Sequence, residues 1–131
     1  MGAVFAVFVG GTLGTALRLL LDDLIVHHDD TFPLSTLLIN IVGSFALGLL
    51  VARVWPVAPV WVRAGIGPGL LGGFTTFSAL VVSIVTLSAS GHFVVAIAYL
   101  VLTLVLGIGA AALGLAVGRR KGQFPIIEVT E

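Results

Sequence analysis

Four apolar runs, each about as long as a bilayer is thick, decide what this chain can fold into. They cover roughly residues 2–21, 34–54, 60–88 and 93–117. A helix rising about 1.5 Å per residue needs about 20 residues to cross a hydrocarbon layer about 30 Å deep. A water-soluble globule of this composition, 59% hydrophobic and 9% charged with a mean hydropathy of +1.24, would lack the polar surface to cover itself. The expected fold class is an all-α membrane protein. It is read as a single four-span transmembrane domain over residues 1–131, with residues 122–131 as a short cytoplasmic tail. The stretch 1–11 has no basic cluster, so the opening run reads as a retained span and not as a cleaved signal.

The remaining composition excludes several functions. The formal net charge is zero and no basic run exceeds Arg119-Arg120-Lys121, so nucleic acid is not an expected partner, whereas membrane lipid is. With no cysteine, disulfides and thiolate metal sites are ruled out. The cluster His27, His28, Asp29 and Asp30 has metal-capable side chains but falls in a polar connection, where a solvated loop is the expected reading. His92 is likewise a loop residue. No carboxylate pair, nucleophile with a base, or metal-ligand spacing occurs within the runs, so no enzyme activity is expected.

The third run is too long for one straight crossing, and its stretch 65–80 reads Gly-Ile-Gly-Pro-Gly-Leu-Leu-Gly-Gly-Phe-Thr-Thr-Phe-Ser-Ala-Leu. Paired glycines followed by Thr75, Thr76 and Ser78 point to a helix broken near 72–76, about mid-membrane. Irregular backbone at that depth is tolerated where protein, ions or water satisfy it, and it marks ion and substrate sites. Small residues also recur at four-residue spacing, as Gly10 and Gly14, then Gly65, Gly69 and Gly73, then Gly114 and Gly118. Such faces let helices approach closely in lipid. A chain of four short spans is too small to enclose an aqueous path alone, which favours an oligomer.

Arg53, Arg63, Arg119, Arg120 and Lys121 all fall on the side of the two termini, while Arg18 lies within its span. By the positive-inside rule a single orientation is expected, with both termini cytoplasmic. Trp55 and Trp61 suit the headgroup level. Within the spans, Asn40 needs polar partners and reads equally as interhelical glue or as a ligand contact. Arg18 can snorkel to the headgroups or pair with Asp22 at i,i+4. Tyr99, Thr103 and Gly107 fall at i, i+4 and i+8 on one face of the fourth span.

Three stretches then carry a resemblance: Gly10-Gly11-Thr12-Leu13-Gly14-Thr15-Ala16-Leu17-Arg18, Thr36-Leu37-Leu38-Ile39-Asn40-Ile41-Val42-Gly43-Ser44-Phe45 and Gly72-Gly73-Phe74-Thr75-Thr76-Phe77-Ser78. In this order and at these separations the chain resembles the Fluc (CrcB) fluoride channels over nearly its full length. The resemblance implies an antiparallel dimer of four-span subunits with two fluoride pathways and a central structural sodium ion that is not transported. It implies a passive channel that exports cytoplasmic fluoride and so reduces its toxicity. By position, the backbone carbonyls of Gly72 and Thr75 would hold the sodium, and Asn40 would donate N–H to fluoride. Phe77 would be the first aromatic of the family's phenylalanine box. Tyr99 and Thr103 would form the polar track, with Thr76 and Ser78 as hydroxyl neighbours. Arg18 would serve vestibule attraction or helix anchoring.

Two departures accompany the match. Leu80 stands where the family has its second box aromatic, and Gly107 lacks the next hydroxyl of the track. Together with the fixed orientation, they point to one half of a heterodimer, paired with a related subunit of opposite charge bias. A non-conducting assembly subunit is the alternative. A small multidrug exporter is a further one, though it would need an acid inside the membrane, and Asp22 and Asp23 lie at a span end.

Overall fold

Hydrocarbon offers no water to a bare amide, so an apolar chain satisfies its backbone within each crossing. In the computed structural model, which describes residues 1–25 and 32–119, each of the four runs is helical. Helix α1 spans Gly2–Leu24 and α2 spans Leu34–Arg53. The third crossing, Val60–Ala89, is 30 residues long, and α6 closes the bundle at Phe93–Gly118. The chain is thus an all-helical, multi-pass membrane protein. The cluster His27 to Asp30, Arg120, Lys121 and the tail 122–131 lie outside the described residues.

The third crossing is built in pieces. Helix α3 (Val60–Ala64) passes into a π-helical stretch, Gly65–Leu71, then into α4 (Gly72–Phe74), and α5 (Phe77–Ala89) completes the span. The π-helical stretch contains Pro68, whose ring collides with the carbonyl one turn back and whose nitrogen has no proton to give it. Widening the turn relieves both, as in the bond from the Gly72 amide to the Gly67 carbonyl. The break itself falls at Thr75 (φ −78°, ψ 154°) and Thr76 (φ −145°, ψ 121°), both extended. The break thus falls inside the expected stretch 72–76: Gly72 and Gly73 remain helical, and the two threonines interrupt the helix.

Most of these glycines bring backbones together. A methyl group at Gly10 would overlap the Gly65 carbonyl oxygen, and one at Gly14 the Leu70 carbonyl oxygen, so α1 lies directly on the upstream half of the third span. A second seam joins α2 to α6, where a methyl at Gly48 would meet the Ala111 carbonyl and one at Gly114 the Phe45 carbonyl. Such contact maximises dispersion where lipid supplies no hydrophobic drive. The Arg53 guanidinium donates from Nη2 to the Val117 carbonyl at 3.1 Å, tying the ends of α2 and α6.

Exposure is inverted relative to a soluble protein. Phe5, Phe8 and Leu20 face outward, while Ser35, Thr36 and Thr103 are buried, as expected when lipid replaces water as the outer solvent. Trp61 is exposed at the start of α3. Trp55 packs its ring on Gly67, where a methyl would come within 2.6 Å of it.

Candidate functional site

The break is held open by one side chain. At Thr76 the backbone turns away from the helix, and its amide donates to Asn40 Oδ1 at 2.9 Å while Asn40 Nδ2 donates to the Thr76 carbonyl at 3.1 Å. The paired bonds fix which end of the Asn40 amide is which, and they leave one of its two N–H donors unspent. The flanking threonines finish each half-helix. Thr75 Oγ1 donates back to the Leu71 carbonyl at 2.8 Å, and Thr76 Oγ1 accepts from the Ala79 amide at 3.1 Å as an N-cap. Ser78 Oγ lies 3.0 Å from Thr76 Oγ1.

Because the Thr76 amide goes to Asn40, the Gly72 carbonyl loses the donor an unbroken helix would give it. Thr75 follows with its carbonyl in extended backbone. The upstream half therefore ends in under-bonded carbonyls at the negative end of its dipole, and the downstream half begins in amides at the positive end of its own. Oxygen donors of this kind suit a hard cation, and unwound backbone supplies them. Gly72 and Thr75 thus fit such an ion chemically, though two oxygens fill only part of its shell.

Two polar ladders flank the break. On α2, Thr36, Asn40 and Ser44 fall at i, i+4 and i+8, and on α6 so do Tyr99, Thr103 and Gly107. The helices run in the same direction, with Ser44 Oγ 3.7 Å from where a Cβ on Gly107 would stand. Between them lies a cavity of about 270 Å³ lined by Asn40, Ser44, Thr76, Phe77, Thr103 and Gly107. A second, of about 330 Å³, reaches Gly72 and Trp55, and the two share Asn40, Ser44 and Thr75.

Tyr99 stands behind the first cavity, fully buried, with its ring edge-on to Phe32 at 5.3 Å. The hydroxyls of Thr36, Ser83 and Thr103 come near its own. None reaches bonding geometry, so Tyr99 Oη and Thr103 Oγ1 have no hydrogen-bond partner among the described residues. Buried hydroxyls without partners are unusual and leave donors available. Thr36, Ser44 and Ser83 were missed from sequence as members of this surface. The four-residue spacing of Thr36, Asn40 and Ser44 was the signal that could have found the first two.

Phe77 is 73% exposed at the rim of the cavity, whereas Leu80 is 2% exposed, packed with Leu37 and Tyr99. Arg18 sits elsewhere, on the α1 side of the break, with Nε 3.4 Å from the Gly73 carbonyl. Asp22, one turn on, accepts from Ser35 Oγ at 2.8 Å.

The fold and the site define a small polytopic membrane protein whose uncharged cavities, largely apolar with a few hydroxyls and one amide, converge on a broken helix. The profile of the family described as CrcB-like protein, Camphor Resistance (CrcB), matches residues 5–115. The chain belongs to this family. It is 40% identical over 121 residues to the Fluoride-specific ion channel FluC of Aquifex aeolicus, covering 90% of this chain and 98% of that one. It is 38% identical to the protein of that name from Rhodospirillum centenum, covering 91% and 97%. With the one from Paracoccus denitrificans it shares 39% identity, covering 86% and 91%.

Proposed function

We propose that this chain is a subunit of a fluoride-specific, passive ion channel of the cell membrane, through which cytoplasmic fluoride leaves and its toxicity falls. The observation that carries the reading is the meeting of two polar ladders at Asn40, beside a helix break, in a chain similar to proteins named for that activity. The cavity that Asn40 shares with Thr76 and Thr103 presents N–H and O–H donors and no fixed cation. Such a lining replaces part of a small anion's hydration without trapping it.

The driving force follows from acid chemistry. Hydrogen fluoride crosses a membrane neutral and ionises in the more alkaline cytoplasm. A potential negative inside then drives the anion out, at about 2.3 kcal/mol per charge per 100 mV. The Phe77 ring, exposed at the rim, offers its positive edge to an anion without binding it as a charge would. Asn40 supplies its remaining N–H, and Thr76, Ser78, Tyr99 and Thr103 are the hydroxyl-bearing neighbours of the path.

The carbonyls of Gly72 and Thr75 would hold a structural sodium ion, which would supply a fixed positive charge to pin the break. One chain's pair cannot complete its shell, which supports an antiparallel dimer in which a second subunit contributes the rest. The basic bias toward the ends of α2 and α6 supports a fixed orientation with both termini cytoplasmic. We therefore favour a heterodimer with a related subunit of opposite bias. Leu80, buried and aliphatic, specifically supports the second reading, in which this subunit's own pathway does not conduct and the chain serves assembly.

The test is fluoride efflux from sodium-loaded liposomes, with chloride as the control anion, for the chain alone and with an opposite-bias related subunit. Flux only with the partner is expected. Full flux from the chain alone, with tags found on both sides of the membrane, would overturn the heterodimer. Silence in both preparations would overturn the channel.

A further inference from the structure

Three residues of α1 gather about Gly73 of the break, and two of them reach its backbone carbonyl. Gly11, Thr15 and Arg18 fall at i, i+4 and i+7, on one face of the helix. Gly73 lies against that face so closely that a methyl there would come within 2.6 Å of the Gly11 carbonyl oxygen. Thr15 Oγ1 and Arg18 Nε both donate to the Gly73 carbonyl, at 3.5 and 3.4 Å. In an unbroken helix that carbonyl would receive the Phe77 amide, and the break at Thr75 and Thr76 takes this donor away.

We infer that Arg18 is a positioning residue: its Nε–H, with the Thr15 hydroxyl, clamps the carbonyl end of the upstream half-helix onto α1, while Asn40 grips the other side of the break from α2. The inference rests on the channel reading, because the break it positions is the proposed ion site. Geometry and charge agree on this role. A guanidinium at the carbonyl end of a helix answers the negative end of the dipole. Two long bonds to one oxygen, backed by direct contact between the backbones of Gly11 and Gly73, restrain the break more than either bond alone would. The clamp also explains the pattern Gly11-Thr12-Leu13-Gly14-Thr15-Ala16-Leu17-Arg18. Its Gly14 lies on the Leu70 carbonyl, and its Gly11, Thr15 and Arg18 lie about Gly73.

Three substitutions separate clamp from charge. Arg18→Gln places an amide nitrogen at the same point along the side chain as Nε, and removes the charge. Arg18→Lys keeps the charge and moves the donor, and Arg18→Met keeps neither. Each full-length variant is reconstituted and read by amide hydrogen exchange over residues 75–79 and by fluoride flux. The Gln variant is expected to stay within about threefold of wild type in exchange at the break, and the Met variant to exchange at least about tenfold faster there. If Arg18→Met does not fold, Thr15→Val, which removes the second donor to the same carbonyl, is expected to speed exchange there about threefold. Retention by Lys with loss in Gln would overturn the clamp in favour of charge attraction. Unchanged exchange in the Met variant, or in Thr15→Val where it is used, would overturn it outright. If wild type carries no fluoride, the channel reading fails, and the exchange measurement still decides the clamp.

Discussion

The two ends of the α2–α6 seam use the same helices in the same register for opposite purposes. Toward Arg53 the facing positions are small: Gly48 and Gly114 bring backbone onto backbone, and Gly118 lies on the Ala52 methyl, until no added methyl would fit. Toward Ser35 the facing positions are polar but for Gly107, with Thr36, Asn40 and Ser44 across from Tyr99, Thr103 and that glycine, and a cavity remains between Asn40, Ser44, Thr103 and Gly107. The glycine end thereby sets the spacing of the other end. Its rigid contact holds two hydroxyl-bearing faces at a distance where Tyr99 Oη and Thr103 Oγ1 stay unbonded. On the proposed function, stability and permeation would fall to different residues of one interface.

The most drastic way to break that assignment is Gly114→Leu, whose side chain must displace the Phe45 backbone. No monodisperse protein is expected by gel filtration, while Gly109→Leu on the same helix, with nothing within 4 Å of its Cβ, is expected at wild-type yield. Next comes Asn40→Leu, which strips the Thr76 amide and carbonyl of their partners. At about 1–3 kcal/mol for each buried group left unpaired, thermal unfolding is expected at a clearly lower temperature. Leu80→Phe overfills the pocket between Leu37 and Tyr99 and is expected to cost about 1–3 kcal/mol by thermal unfolding.

The smaller effects sharpen the contrast. Tyr99→Phe removes a buried hydroxyl that has no partner among the described residues. Stability is expected to stay within about 1 kcal/mol of wild type, while fluoride flux falls severalfold. Gly107→Ser adds a hydroxyl where the nearest atom, Ser44 Oγ, is 3.7 Å from the new Cβ. It is expected to change stability by no more than about 0.5 kcal/mol and to leave flux undiminished.

Most of the architecture was legible because membrane thickness and hydropathy alone set the span limits. The largest error in those limits is at α1, expected to end at 21 and ending at Leu24. The place of the break was legible only in part. The break was read near 72–76, from paired glycines and the hydroxyl residues after them, and it falls inside that stretch; the glycines themselves stay helical, with Gly73 against Gly11. The interruption belongs to Thr75 and Thr76, whose hydroxyls close one helix and cap the next.

Asn40 was legible as a buried amide in need of partners, but the identity of its partner, 36 residues away, depends on how α2 meets the third span. From the residues Arg18 was read as snorkelling or pairing with Asp22, with anchoring entering only through the resemblance, because helical spacing shows its neighbours on α1 and not the carbonyl across from it. The polar face of α2 went unread although its four-residue spacing was visible, because Thr36 and Ser44 were taken as a motif and not as a face.

The most direct measurement is fluoride efflux, followed with a fluoride electrode, from sodium-loaded liposomes holding either wild-type chain or Asn40→Leu, each reconstituted with the proposed opposite-bias subunit. The account predicts rapid fluoride loss with no chloride loss for wild type, and a rate at least about tenfold lower for the variant, the equivalent of about 1.4 kcal/mol. Equal fluoride rates for the two would contradict it, since a pathway indifferent to Asn40 cannot run along the break that Asn40 holds.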